Sequence, residues 1–227
     1  MTNSKVNASG KRVRGEQRTT REDWVKTALD TLVSDGVDSV KVSVLADKLN
    51  CARSSFYWYF KNRRHLLEGL LEHWQATNTQ AILYQATRAA DTINFALVNL
   101  FSCWVSSHTS GERLFDTQLD FAVREWARRD GSIRRAVDQS DAQRIDAISD
   151  MFTRYGFDPK EARIRARIVY FTQIGYEALD TRESNLERAQ AGRLYLKCHT
   201  GIVPTEDEVR AIVQLTGHDM SEIEGPV

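Results

Sequence analysis

Apolar residues recur three or four positions apart in run after run of this chain, while period-two runs rich in β-branched residues are scarce. That pattern predicts an all-α fold. Val25, Ala28, Leu29 and Leu32 mark the buried face of a first helix, with Thr19 as its cap, Glu22 completing a capping box and Asp35-Gly36 ending it. Val42, Leu45, Ala46 and Leu49 mark a short second helix over 42–49. Asn50 tolerates a left-handed backbone and closes that helix much as Gly would. A third helix over 52–58 opens with Arg53, Ser54 and Ser55, side chains small or basic enough to approach base edges. A fourth begins at Asn62, a good N-cap, and runs through Leu66, Leu67, Leu70, Leu71 and Trp74 toward Leu83.

The rest of the chain continues in the helical period. Helices are predicted over 90–108, 112–128 and 132–155, with breaks at Thr109-Ser110-Gly111 and Asp130-Gly131. Gly156-Phe157-Asp158-Pro159 is the sharpest boundary: Gly stops one helix, Asp158 caps the next, Pro159 fits its first position and Glu161 can close the box. The helix that follows, to Asp180, carries Ile164, Ile168, Phe171, Gly175 and Ala178 on one stripe. Gly inside a helix is unfavourable by about 1 kcal/mol relative to Ala, so a close helix approach is expected at Gly175. With 132–155, which brings Phe152, this helix is expected to form an antiparallel pair that meets its twin across a two-fold axis. Shorter helices over 185–199 and 205–216 complete the chain.

Two short helices joined by a tight turn and followed by Phe56-Tyr57-Trp58-Tyr59-Phe60 fit the helix-turn-helix reader of DNA. Leu45-Ala46, Phe56-Tyr57-x-Tyr59-Phe60, Asn62, Arg63 and Leu66-Leu67 together resemble the TetR family of transcriptional regulators over residues 20–67. The chain departs from that family's usual residues at Val40, Lys41, Asn50, Cys51 and Ala52, all around the turn. The resemblance implies an N-terminal three-helix DNA-binding domain and a C-terminal helical domain for ligand binding and dimerisation. The boundaries expected are a disordered basic arm at 1–18, the reader at 19–65, the body at 66–220 and a frayed tail at 221–227.

Carried over by position, the family's DNA contacts fall on Arg53, Ser54, Ser55 and Tyr57, and its phosphate contacts on Trp58, Tyr59, Lys61 and Arg63. Lys41 or Ser43, at the start of the second helix, adds a further phosphate contact. Phe56 and Phe60, at helical spacing, read as core. The resemblance further implies a homodimer on a palindromic double-stranded DNA operator, acting as a repressor released by a small-molecule effector. The aromatics of 90–128 are the candidates for the effector pocket: Phe101, Trp104, Phe115, Phe121 and Trp126, with Cys103, His108 and Gln118 as polar members. The same aromatic stripe is more often the signature of a helix core.

Charge sharpens the division. The net charge of the 227 residues is zero, but residues 1–65 hold 13 Lys and Arg against 7 Asp and Glu, so the front is basic and the body acidic. Only the front is suited to a polyanion. The basic arm is either a solubilising tail or a further DNA contact. Cys51, Cys103 and Cys198 are odd in number and widely spaced, and the five His form no ligand pattern, so neither a disulfide framework nor a metal site nor a cofactor is expected. Nucleophile, phosphate-loop and dinucleotide motifs are missing, which argues against an enzyme. Without an apolar run long enough for a membrane span or a secretion signal, a cytoplasmic protein that needs no membrane is expected. An architectural, non-specific DNA-binding protein is the rival reading.

Overall fold

A computed structural model describes residues 19–109, 115–179 and 181–223, and every element among them is helical. Helix α1 (Arg21–Asp35) is capped one residue later than its sequence suggests: Thr20 accepts from the Asp23 amide, and the Asp23 carboxylate returns to the Thr20 amide at 2.8 Å. Thr19-Glu22 and Thr20-Asp23 are overlapping boxes of the same kind, and the later one wins while placing Trp24 in the core. Helix α2 (Val42–Lys48) ends in a Schellman turn. The Cys51 amide donates to the Ala46 carbonyl at 3.0 Å and the Asn50 amide to Asp47 at 3.2 Å, with Asn50 at φ 49°. Asn therefore does stand in the left-handed position that the turn requires.

After the turn, Arg53–Trp58 winds as a 3-10 helix rather than the expected α-helix. Helix α3 (Arg63–Trp74) is capped by Asn62, whose side chain accepts from the His65 amide at 2.9 Å. The long fourth helix is interrupted by a π-helical stretch over Gln75–Thr79 before α4 (Gln80–Thr87) resumes. Asn78 on that stretch uses both ends of its amide on Asp116, donating to the carbonyl at 2.8 Å and accepting from the N–H at 3.1 Å. An extra residue in the helical turn is thus held by a specific tertiary contact.

The remaining helices are α5 (Ile93–Thr109), α6 (Thr117–Ala127), α7 (Gly131–Arg154), α8 (Pro159–Ala178), α9 (Asn185–Thr200), α10 (Glu206–Leu215) and α11 (Met220–Ile223). Between α7 and α8 the punctuation works as read: Gly156 has φ 88° and Asp158 accepts from the amides of Lys160 and Glu161. Glu161 itself pairs with Arg165 at 2.7 Å instead of closing a box. Residues 221–223, expected to fray, lie in α11, where Met220 and Ile223 pack on Ala189, Val209 and Val213. Residues 1–18, the expected basic arm, and the Ser110-Gly111 break lie outside the described residues.

Two large apolar cores result. One joins Trp24, Ala28, Leu32, Leu45, Phe56 and Phe60 to Leu119, Val123 and Trp126 of α6 and to Ile133 and Val137 of α7. The other packs α4 and α5 against the C-terminal half of α7, α8, Leu196 of α9 and Ile212 of α10. The first core does not stop at the reader. It continues through α6 into the body, so the two cannot reorient without repacking apolar side chains.

Candidate nucleic-acid interface

The turn and the 3-10 segment split the predicted contact residues into two groups. Arg53, Ser54, Tyr57, Trp58, Lys61 and Lys41 are exposed on the outside of the reader, with Tyr57 62% and Trp58 64% accessible. Ser43 is half-buried in the first turn of α2. Large aromatics with polar tips left this open, among basic and hydroxyl side chains, suit a surface that meets bases and phosphates. Phe56 and Phe60 are their fully buried counterparts: Phe56 meets Trp24 edge-on at 5.2 Å and stacks on Phe60 at 5.2 Å.

Three of the predicted contacts are committed elsewhere. Ser55 is buried and its hydroxyl donates to the Ala52 carbonyl at 2.7 Å, holding the start of the segment. The Tyr59 hydroxyl donates to the Thr19 carbonyl at 2.7 Å and ties the entry of α1 to the segment. Arg63 uses Nε and Nη2 on the carbonyls of Val40 and Val37, both at 2.6 Å, and so braces the connection ahead of α2. The Val37 carbonyl already accepts from the Val40 amide at 3.2 Å, and Arg63 adds a second donor to it while also pairing the Val40 carbonyl, so the fork of the guanidinium fits this corner.

Behind the reader lies a polar network that sequence reading missed. Asp120, 1% exposed, accepts from the Trp74 indole at 2.8 Å, Arg124 Nε at 2.7 Å and Arg144 Nη1 at 3.0 Å. Arg144 is wholly buried, bonded also to Thr79 and to the Tyr170 hydroxyl, with its guanidinium 4.9 Å from the Trp74 ring centroid and 5.5 Å from that of Phe115. Asp141 closes the circuit through two bonds from Arg124 and one from the Tyr170 hydroxyl at 2.7 Å. Burial pushes the Asp120 carboxyl up, but Arg144 and Arg124 outweigh it and hold it below the ordinary carboxylate range. Burial drives the Tyr170 phenol upward, so it stays a neutral donor. The network links α3, the π-helical stretch, α6, α7 and α8. Its one sequence signal is Arg144 falling on the apolar stripe of α7, four residues before Ile148 and seven after Val137.

The predicted effector pocket does not assemble. Cys103, Trp104 and Phe115 are packed into the second core, where burial pushes the Cys103 thiol up to about 12. Gln118, Phe121 and Trp126 instead line an open cleft of about 960 Å³ between α6 and the end of α1. Phe101 alone borders a small cavity, about 60 Å³, between α5, α8, α9 and α10. The His108 side chain lies outside the described residues. Helical periodicity could not separate these outcomes, because one helix presents different faces to different neighbours.

Of the predicted dimer residues, Phe152 is fully buried inside the chain and unavailable to a second copy. Ile164, Ile168 and Phe171 are each about half exposed, Ala178 is open, and a Cβ built on Gly175 would meet nothing within 4 Å. The close approach expected at Gly175 is therefore not made by any of the described residues. Leu179 at the end of α8 and Leu186 and Leu194 on α9 are exposed as well.

Residues 25–70 match the family model described as bacterial regulatory proteins, tetR family. The tetracycline repressor protein class A from transposon 1721 of Escherichia coli is 39% identical over 54 residues, 24% of this chain and 25% of that protein. The class C tetracycline repressor protein of Escherichia coli is 38% identical over 52 residues, 23% of this chain and 24% of that protein. The "Probable acrEF/envCD operon repressor" of Escherichia coli is 32% identical over 56 residues, 25% of this chain and 26% of that protein. The chain thus spans about a quarter of the length of these curated relatives, and the residues matched by the family model hold the helix-turn-helix. Over residues 25–70 the chain is thus similar to the tetR family of bacterial regulatory proteins.

Proposed function

We propose that this protein is a transcriptional regulator that binds operator DNA as a homodimer and is released by a small-molecule effector. The observation that carries the reading is the outward cluster of Arg53, Ser54, Tyr57, Trp58 and Lys61 on a segment fixed by a Schellman turn within a tetR-family domain. Arg53 reads a base edge from the start of the segment, while Lys41, Lys61 and the two aromatics hold the phosphates on either side. The exposed stripe of Ile164, Ile168 and Phe171 on α8 supports dimerisation through that helix, with Gly175 admitting the partner's backbone.

Two readers of one dimer must sit about 34–36 Å apart, or a multiple of that repeat, to use major grooves on one face of DNA. An effector changes affinity only by binding one spacing better than another. The shared core of reader and α6, together with the Asp120–Arg144–Tyr170 network, supplies a rigid connection from α8 to α3. The test is anisotropy of a selected operator duplex against random duplex over a salt series, with wild type, Arg53→Ala and Lys61→Ala. Arg53→Ala is expected to weaken operator binding by about 1–3 kcal/mol and relax preference at one position, and Lys61→Ala to lower the salt slope by about 0.9. Equal affinity of the wild type for operator and random duplex would overturn the proposal.

A further inference from the structure

The small cavity bordered by Phe101 is also lined by Val105, Tyr195 and Ile212, which make its interior apolar. Tyr176 and Arg188 line it too, and the same pair lines an outer cleft of about 380 Å³ at the connection from α8 to α9. They therefore stand at the boundary between an apolar inner space and a polar outer one. The Arg188 guanidinium lies 4.9 Å from the Tyr176 ring centroid, stacked over it. Both side chains hold a buried polar atom without a hydrogen-bond partner among the described residues: Tyr176 Oη and Arg188 Nε. Buried donors are nearly always paired, so two orphans side by side at the neck of a cavity point to a ligand that accepts from both.

We propose that this neck binds the carboxylate of a short-chain monocarboxylic acid whose apolar tail enters the inner cavity. A carboxylate is acceptor-only and matches one cationic and one neutral donor. The inner space, about 60 Å³, is small, which limits the tail to a few carbon atoms. A Cβ on Gly192 would meet Ile212 Cγ2 at 2.9 Å, so this glycine lets α9 and α10 close the far wall without filling the space. Glu183 in the outer cleft disfavours a second negative charge on the ligand. His199 sits behind the wall, its ring 5.6 Å from Phe101, and burial lowers its pKa, so it adds no competing cation. Tyr176 lies six residues beyond Tyr170 on α8, and a ligand that moves this helix acts on the network behind the reader.

The regulatory meaning of the site rests on the effector-responsive reading above, whereas binding itself can be tested without DNA. Calorimetry on the full chain would compare isovalerate with its neutral isostere isovaleramide, in wild type, Arg188→Gln and Tyr176→Phe. The acid should bind wild type at least about tenfold more tightly than the amide, Arg188→Gln should abolish that preference, and Tyr176→Phe should weaken the acid about tenfold. Wild type binding both probes equally, or binding neither, overturns the site without need of any variant. Unchanged acid affinity in a folded Arg188→Gln protein overturns it as well. Acid binding by a chain that selects no operator would sink the regulator and keep the site. Operator selection without acid binding would do the reverse.

Discussion

Asp120→Asn keeps the shape of a buried side chain and removes only its charge, which makes it the sharpest probe of the network behind the reader. Three donors converge on this carboxylate, two of them guanidinium groups, and Arg144 has no access to water. Removing one partner of a buried pair typically destabilises by about 3–5 kcal/mol, because the other charge stays buried. Asp141 lies 3.9 Å from Arg144 and takes up part of the lost attraction, which places the expected loss near the lower bound, about 3 kcal/mol. For a chain of this size that corresponds to about 6–12 °C in Tm. Urea unfolding at fixed protein concentration reads it, since a dimer's apparent stability depends on concentration. Adding Arg144→Met in a double-mutant cycle should return a coupling of about 2 kcal/mol. The folded Asp120 pKa is lowered, so its contribution is complete above the unfolded value near about 3.9 and is lost as pH falls through the folded value. The gap between wild type and Asp120→Asn should therefore narrow only below about pH 4. A loss under about 1 kcal/mol at neutral pH, with an unchanged m-value, would refute the reasoning.

Other positions give independent checks. Asn50→Ala should destabilise by about 1 kcal/mol in urea because its φ of 49° is unfavourable for a side chain unable to bond locally, while Asn50→Gly should be neutral or slightly stabilising. If α8 carries the proposed homodimer, Ile168→Glu on its open face should leave only monomer in sedimentation velocity, with the helical circular dichroism unchanged. An aromatic disulfide reagent at pH 8 should label exposed Cys198 quickly and leave Cys103 untouched until the protein unfolds, since burial raises the Cys103 thiol to about 12.

What could be read in advance follows from how local each determinant is. Helix termini are set by a few neighbouring residues, and Asp158-Pro159, Asn62 and Asn50 perform the roles their chemistry suggests. Where two local solutions overlap, as at Thr19 and Thr20, the choice passed to the packing of Trp24. The π-helical stretch depends on Asn78 meeting Asp116, 38 residues away, and no local pattern reports such a partner. Arg63 shows the same limit at the reader. Its type matched a phosphate contact, but the carbonyls of Val37 and Val40 reach it first. In the body, the aromatics of α5 and α6 divided among a core, a cleft and a cavity according to which helices they faced. The polar neck formed by Tyr176 and Arg188 joins two helices whose contact the sequence does not encode locally.

Sequence-selective recognition by paired helix-turn-helix readers can be checked by selection from a random duplex pool followed by footprinting. One inverted repeat should be enriched, with half-sites about 10–10.5 base pairs apart, centre to centre, or a multiple of that spacing. Protection should weaken at one position of each half-site when Arg53 is replaced by Ala. A pool that enriches no repeat, with affinity set by salt alone, would mean that the protein binds DNA without reading its sequence.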